Sequence, residues 1–150
     1  MDIILSAKDI YKTYKASSGE VHALNGVSVE FEKGLFYAII GRSGSGKSTL
    51  LHILSGLDRP TSGTITIDGT DLSSYSDENM AICRRRHMGF VFQQFNLLDD
   101  YTVLNNICMP LKLDGRKADS QFLEEVTALL GLADKLKSTP RSCPAASSSG

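Results

Sequence analysis

Residues 41–49 read GRSGSGKST. They stand between LFYAIIG (35–41), a run apolar at nearly every position, and KSTLLHILSGL (47–57), whose Leu50, Leu51, Ile53 and Leu54 recur at helical spacing before Gly56. The nine residues satisfy G-x-x-x-x-G-K-[ST], and strand, glycine loop, helix is the order in which that pattern has a mechanism. Glycines at 41, 44 and 46 let the backbone curl so that successive N–H groups surround phosphate oxygens, and a helix beginning near Lys47 adds the positive end of its dipole. The Lys47 ammonium can reach β- and γ-phosphates, and the Ser48 hydroxyl is the expected protein ligand of a Mg2+ bridging them. Gly41, Ser43, Gly44, Ser45, Gly46, Lys47, Ser48 and Thr49 are therefore candidate nucleotide contacts. A glycine-rich turn that holds Lys-Ser by coincidence is the plain alternative, and the flanking strand and helix argue against it.

Working outward, IILSAKDIYKTY (3–14) and HALNGVSVEFEKG (22–34) alternate apolar and polar residues, the pattern of antiparallel strands with one face covered. LFYAIIG suits a strand buried on both faces, as in the parallel sheet of an α/β protein. TSGTITIDG (61–69) predicts a short strand, SDENMAICRRR (76–86) a helix capped by Ser76, and HMGFVFQ (87–93) a further apolar strand. Two helices follow, TVLNNICMPL (102–111) and SQFLEEVTALLGL (120–132). In the second, Phe122, Val126, Leu129 and Leu130 share one face that reads as a core element. The fold class is α/β, an antiparallel β element joined to a P-loop sheet core with part of a helical subdomain.

Sixteen basic and seventeen acidic residues leave a formal charge of -1, so no basic surface calls for nucleic acid. RRRH (84–87) closes a helix with acidic residues at its start, which favours a solvated helix end over a nucleic-acid patch. Cys83, Cys108 and Cys143 lack C-x-x-C spacing and read as structural thiols of a reducing compartment. His22, His52 and His87 are isolated, and His52 reads as a packing or surface residue. No run of eighteen apolar residues occurs, so contact with a membrane is expected through another chain, without direct insertion.

A P-loop alone does not separate kinases, GTPases and transport ATPases. The stretch GRSGSGKSTLLHILSGLDRPTSGTITIDG (41–69), together with MGFVFQQFNLL (88–98) and VHALNGVSVEFEKG (21–34), resembles the ATP-binding cassette (ABC) transporter ATPases. The similarity is greatest to the lipoprotein-release, macrolide-export and peptide-export branch, and it runs from about residue 3 to about residue 141. It implies ATP and Mg2+ as cofactors, a second ATPase subunit in a homodimer, membrane permease subunits, and a peripheral position on the cytoplasmic face of the inner membrane. Tyr14 matches the aromatic position that stacks on adenine, with Tyr11 as a nearby competitor. Gln93 matches the Q-loop glutamine, implied to complete the Mg2+ shell, orient attacking water and link the site to the permease. Gln94 and Phe95 then fall on the transmission surface. Asp99 and Asn105 depart from the branch pattern, where proline and glutamate are usual. A DNA-repair or chromosome-associated ABC ATPase is disfavoured by the short interval between P-loop and Q-loop.

The resemblance further implies a signature loop, a Walker B strand, a catalytic glutamate and a switch histidine. None occurs in these 150 residues. The domain reading is accordingly an N-terminal cassette part over 1–140 and a tail over 141–150, and the alternative function is a truncated, non-hydrolysing nucleotide-binding fragment. The tail RSCPAASSSG can be encoded CGC AGC TGT CCG GCG GCC AGC AGC AGC GGG. Read from the third base, the same string encodes QLSGGQQQR, the signature expected at that place, so a one-base deletion near codon 141 is the expectation. An incomplete sheet is also expected to leave LFYAIIG with an open apolar edge.

Overall fold

The structure, a computed structural model, describes residues 2–17, 19–93 and 96–142. The chain divides into two compact units, Met1–Met88 and Gly89–Gly150. In the first, strands β1 (Ile3–Ala16) and β2 (Gly19–Glu32) form a long antiparallel hairpin. Strand β3 (Ser62–Ile67) pairs antiparallel with β1, and the short β4 (Thr70–Asp71) folds back on β3, giving the order β2-β1-β3-β4. Alternation along β1 is interrupted by a bulge between Ala7 and Ile10, where Asp9 takes a positive φ and its N–H is held by Ser28 Oγ at 2.9 Å. The extra residue explains why Ala7 and Ile10, an odd number of positions apart, both face the core.

Helix α1 (Lys47–Leu54) and helix α2 (Asp77–His87) contribute the rest of that core. Ala7, Ile10, Leu24, Ile53, Leu54, Ile65, Ile67, Leu72, Met80 and Cys83 form one buried cluster. Ser76 caps α2 as expected, its side chain accepting the Asn79 N–H at 3.2 Å. The basic run at its end is only partly solvated: the half-buried Arg84 donates to the Gly56 carbonyl at 2.5 Å and ties α2 to the turn after α1.

Two expected strands do not form. Residues 35–40 have no regular structure, with Leu35 61%, Phe36 96% and Ile40 90% exposed. A strand needs a neighbour for its N–H and C=O groups, and among the described residues none of the four strands lies beside this segment. No parallel sheet core is therefore present among them: where a strand with an open apolar edge was expected at LFYAIIG, the segment forms no strand at all, and Leu35, Phe36 and Ile40 are exposed. It is held at one end, where Tyr37 packs edge-on against Phe31 at 4.9 Å and its hydroxyl accepts the Glu32 N–H at 3.0 Å. Residues 88–92 likewise remain outside any strand, with Val91 fully exposed.

In the second unit, helix α3 (Val103–Leu113) begins at Thr102, whose hydroxyl accepts the Asn105 N–H, and α4 (Ser120–Leu129) begins at Asp119, which caps Phe122. Asn106 fixes the approach to α3 by accepting from the Leu98 N–H and donating to the carbonyls of Leu98, Tyr101 and Thr102. The buried face of α4 differs from the expected one. Leu123, Val126 and Thr127 turn inward, and the Thr127 hydroxyl is satisfied by the Leu123 carbonyl at 2.7 Å, while Phe122, Leu129 and Leu130 are exposed. Asp99 pairs with Arg141 at 3.1 Å, and Asn105 accepts from Lys112 at 2.7 Å. Arg141 and Ser142 belong to a 3-10 turn, Pro140–Ser142, while residues 143–150, including Cys143, lie outside the described residues.

Candidate functional site

The candidate phosphate loop, residues 41–49, is built on the core of the first unit. Gly44 and Gly46 adopt φ of +79° and +85°, the left-handed conformation that reverses the chain twice within three residues. At Gly46 space also forbids a side chain, because a Cβ would stand 2.5 Å from the Ala23 carbonyl oxygen on β2. Gly41 does not adopt a positive φ; its requirement is steric, since a Cβ there would meet Ser45 Oγ at 2.6 Å. The loop closes on itself through the Ser45 N–H and the Arg42 carbonyl at 3.2 Å.

Gly46 is the N-cap of α1, and no side chain caps this end. The first helical hydrogen bond runs from the Leu50 N–H to the Gly46 carbonyl at 2.8 Å. The N–H groups of the opening turn, Lys47 to Thr49, therefore point out of the helix start without backbone acceptors, a donor set suited to anionic oxygen. Lys47 Nζ donates to the Arg42 carbonyl at 2.7 Å, which brings the ammonium back across the loop. Ser43, Ser45 and Ser48 are exposed beside it, and Thr49 is half-buried. No group of three or more His, Cys, Asp or Glu side chains among the described residues could hold a metal ion by itself. The hard hydroxyl oxygen of Ser48 at the helix start fits a Mg2+ that takes its remaining ligands from phosphate and water.

Tyr14 stands near the end of β1, opposite Val21 on β2, and keeps 40% of its surface exposed. Its hydroxyl donates to Asp58 Oδ2 at 2.7 Å, and Lys12 Nζ lies 4.8 Å from the ring centroid. Asp58 Oδ1 accepts from Lys12 Nζ and from the Arg59 N–H, each at 2.7 Å. Burial by itself would raise the Asp58 carboxyl. The hydrogen bonds from Lys12, Tyr14 and Arg59, with the Lys12 charge, outweigh burial and hold the pKa below its ordinary value. The Tyr14 phenol is raised, first by its hydrogen bond to Asp58, then by burial and the Asp58 charge, against smaller opposing effects of the Thr49 hydroxyl and Lys12. Thr49 and Tyr14 are thus brought together. Tyr11 points elsewhere, its hydroxyl against Gly26.

Gln93 is exposed and belongs to the second unit, while Gln94 and Phe95 lie outside the described residues. His52 is exposed on α1, as a surface residue. Lys12 and Asp58 were not legible as site residues. They are 46 positions apart, and only the pairing of β1 beside the turn after α1 makes them partners. No helix among the described residues is long and apolar enough to cross a membrane.

Residues 24–150 match the family model described as ABC transporter. The lipoprotein-releasing system ATP-binding protein LolD of Blochmanniella floridana is 42% identical over 137 residues, covering 88% of this chain and 58% of LolD. The bacitracin export ATP-binding protein BceA of Halalkalibacterium halodurans is 40% identical, over 84% of this chain and 51% of BceA. A dimeric structure of MJ0796, a bacterial ABC transporter cassette, superposes with a TM-score of 0.81 at 35% identity, over 95% of this chain and 64% of that one. A second dimeric MJ0796 structure, in a post-hydrolysis state bound to ADP and Pi, gives 0.80. The chain spans between about two fifths and three fifths of the length of the curated relatives it matches.

Proposed function

The chain belongs to the ABC transporter family, and we propose that it binds Mg-ATP through residues 41–49 as the ATP-binding subunit of a transporter. In this reading ATP binding and hydrolysis are coupled to export or extraction of a substrate by membrane permease subunits. The observation that carries the proposal is the glycine loop leading into the uncapped start of α1, with Lys47 drawn back across it. Those N–H groups and the ammonium hold the phosphates by charge and position, and Tyr14 offers its ring to the adenine. Bound Mg2+ would neutralise charge on the β- and γ-phosphates, with Ser48 as its protein ligand and Gln93 as a second contributor that also orients water. The dimeric MJ0796 cassette supports a homodimer as the working form, and LolD and BceA support an export or release system, with the subunit peripheral on the cytoplasmic membrane face.

Calorimetric titration of the chain with Mg-ATP tests the reading. Binding that is lost on Lys47→Ala and weakened on Ser48→Ala is the expected result; unchanged affinity in both variants refutes it. For the domain boundary, we propose a cassette part over 1–140 and an out-of-frame tail over 141–150. Codons 142–150 that do not encode QLSGGQQQR in another frame overturn the second half of that statement. ATP turnover by the 150-residue chain, compared with the frame-restored chain, separates an active ATPase from a nucleotide-binding fragment.

A further inference from the structure

Tyr14 is not a free aromatic ring at the end of a hairpin. Its hydroxyl is anchored to Asp58 at 2.7 Å, and the Lys12 ammonium sits 4.8 Å from its centroid. Lys12 keeps only 12% of its side chain exposed and divides its donors between Asp58 Oδ1 and the Arg59 carbonyl, each at 2.7 Å. Asp58 in turn is fixed to the end of α1, because its N–H donates to the His52 carbonyl at 3.1 Å alongside the Leu57 N–H at 2.8 Å. The tip of the ring is thereby tied to the C-terminal turn of the helix whose N-terminal turn forms the phosphate site. A cation on one ring face leaves only the opposite face to a flat base.

We infer that Asp58, with Lys12, is a positioning residue for nucleotide binding: it fixes the Tyr14 ring relative to the phosphate loop through helix α1, so that base and triphosphate are engaged together. Neither residue touches the nucleotide. The inference rests on the base-stacking reading of Tyr14, and it predicts that orientation of the ring, not its presence alone, sets part of the affinity for ATP. A net hydrogen bond that orders a ring corresponds to a loss of about threefold to tenfold when it is removed.

The test is titration of the full chain with Mg-ATP and, separately, with Mg-tripolyphosphate, which has the phosphates but no base. Asp58→Ala and Tyr14→Phe each weaken ATP binding by about threefold to tenfold and leave tripolyphosphate binding unchanged. The double variant loses no more than either single one, because both remove the same bond. Asp58→Asn, which retains an acceptor oxygen for the Tyr14 hydroxyl, recovers part of the loss. If Asp58→Ala also abolishes tripolyphosphate binding, it has disturbed the fold, and Tyr14→Phe decides alone. Tyr14→Ala separates the two readings. A loss of ATP affinity in Tyr14→Ala with none in Tyr14→Phe overturns the positioning role while base stacking stands; unchanged affinity in Tyr14→Ala overturns both.

Discussion

At the scale of single residues, the site depends on which group each side chain is made to face. Lys47 reaches back to the Arg42 carbonyl, so a positive charge stands over the loop before any substrate arrives. Its removal leaves the backbone donors without their cation, and Lys47→Ala is expected to weaken Mg-ATP binding by at least about tenfold, measured by calorimetry. The Asp58 and Tyr14 pKa shifts have opposite signs and define a pH window. Asp58 is lowered in the folded chain, so its contribution to stability is present above its unfolded value, about 3.9, and is lost as pH falls through the folded value. Tyr14 is raised, so its contribution is present below about pH 10 and is lost as pH rises through the folded value. The charged and polar groups facing the pair are Lys12, Thr49 and the Arg59 N–H. The difference in urea midpoint between the chain and Asp58→Asn is expected to be constant across neutral pH and to shrink below about pH 4 and above about pH 10. A difference independent of pH would show that the carboxylate charge contributes nothing.

At the scale of elements, α1 serves two ends at once. Its N-terminal turn presents N–H groups without backbone acceptors, the proposed phosphate donors, and its apolar residues, Ile53 fully buried and Leu54 nearly so, fasten it to the antiparallel sheet. Ile53→Ala would leave a cavity among β-strand side chains that cannot close around it, and is expected to cost about 3 kcal/mol, read from the shift in chemical denaturation midpoint. Helix α2 depends on its ends instead: Ser76→Ala removes the acceptor of the Asn79 N–H and is expected to cost about 1 kcal/mol. The cap at Ser76, the helix over 102–111 and the strands β1 to β3 were legible in the sequence, because capping and periodicity are local signals. Residues 35–40 and 88–92 were misread as strands for the complementary reason. Their apolar composition records a burial that requires partners, and composition cannot supply the partner. Helix α4 shows the same limit: of the apolar face read over Phe122, Val126, Leu129 and Leu130 only Val126 turns inward, and it is joined there by Leu123 and Thr127.

At the scale of the whole molecule, the exposed apolar segments govern behaviour in solution. Leu35, Phe36, Ile40 and Val91 are each more than half exposed, far from the scattered single residues that a surface tolerates. The chain is expected to bind a hydrophobic dye such as ANS and to self-associate as concentration rises. Phe36→Ser with Ile40→Ser is expected to reduce both, with little change in stability, because neither side chain packs in the core. A dye-silent, concentration-independent monomer would contradict this. MJ0796 and LolD, to which this chain is similar, are each longer than it.

The sequence by itself determined the family, the helix that follows residues 41–46, and the candidate phosphate loop with its glycines, Lys47 and Ser48, because a phosphate cradle is made of consecutive backbone groups and its residues must be neighbours in the chain. Tertiary structure alone decided that Tyr14, Lys12, Asp58 and Thr49 form one cluster and that residues 35–40 lie open. Those facts depend on pairing between segments tens of residues apart, and a hydrogen bond between Tyr14 and Asp58 leaves no trace in the spacing of either.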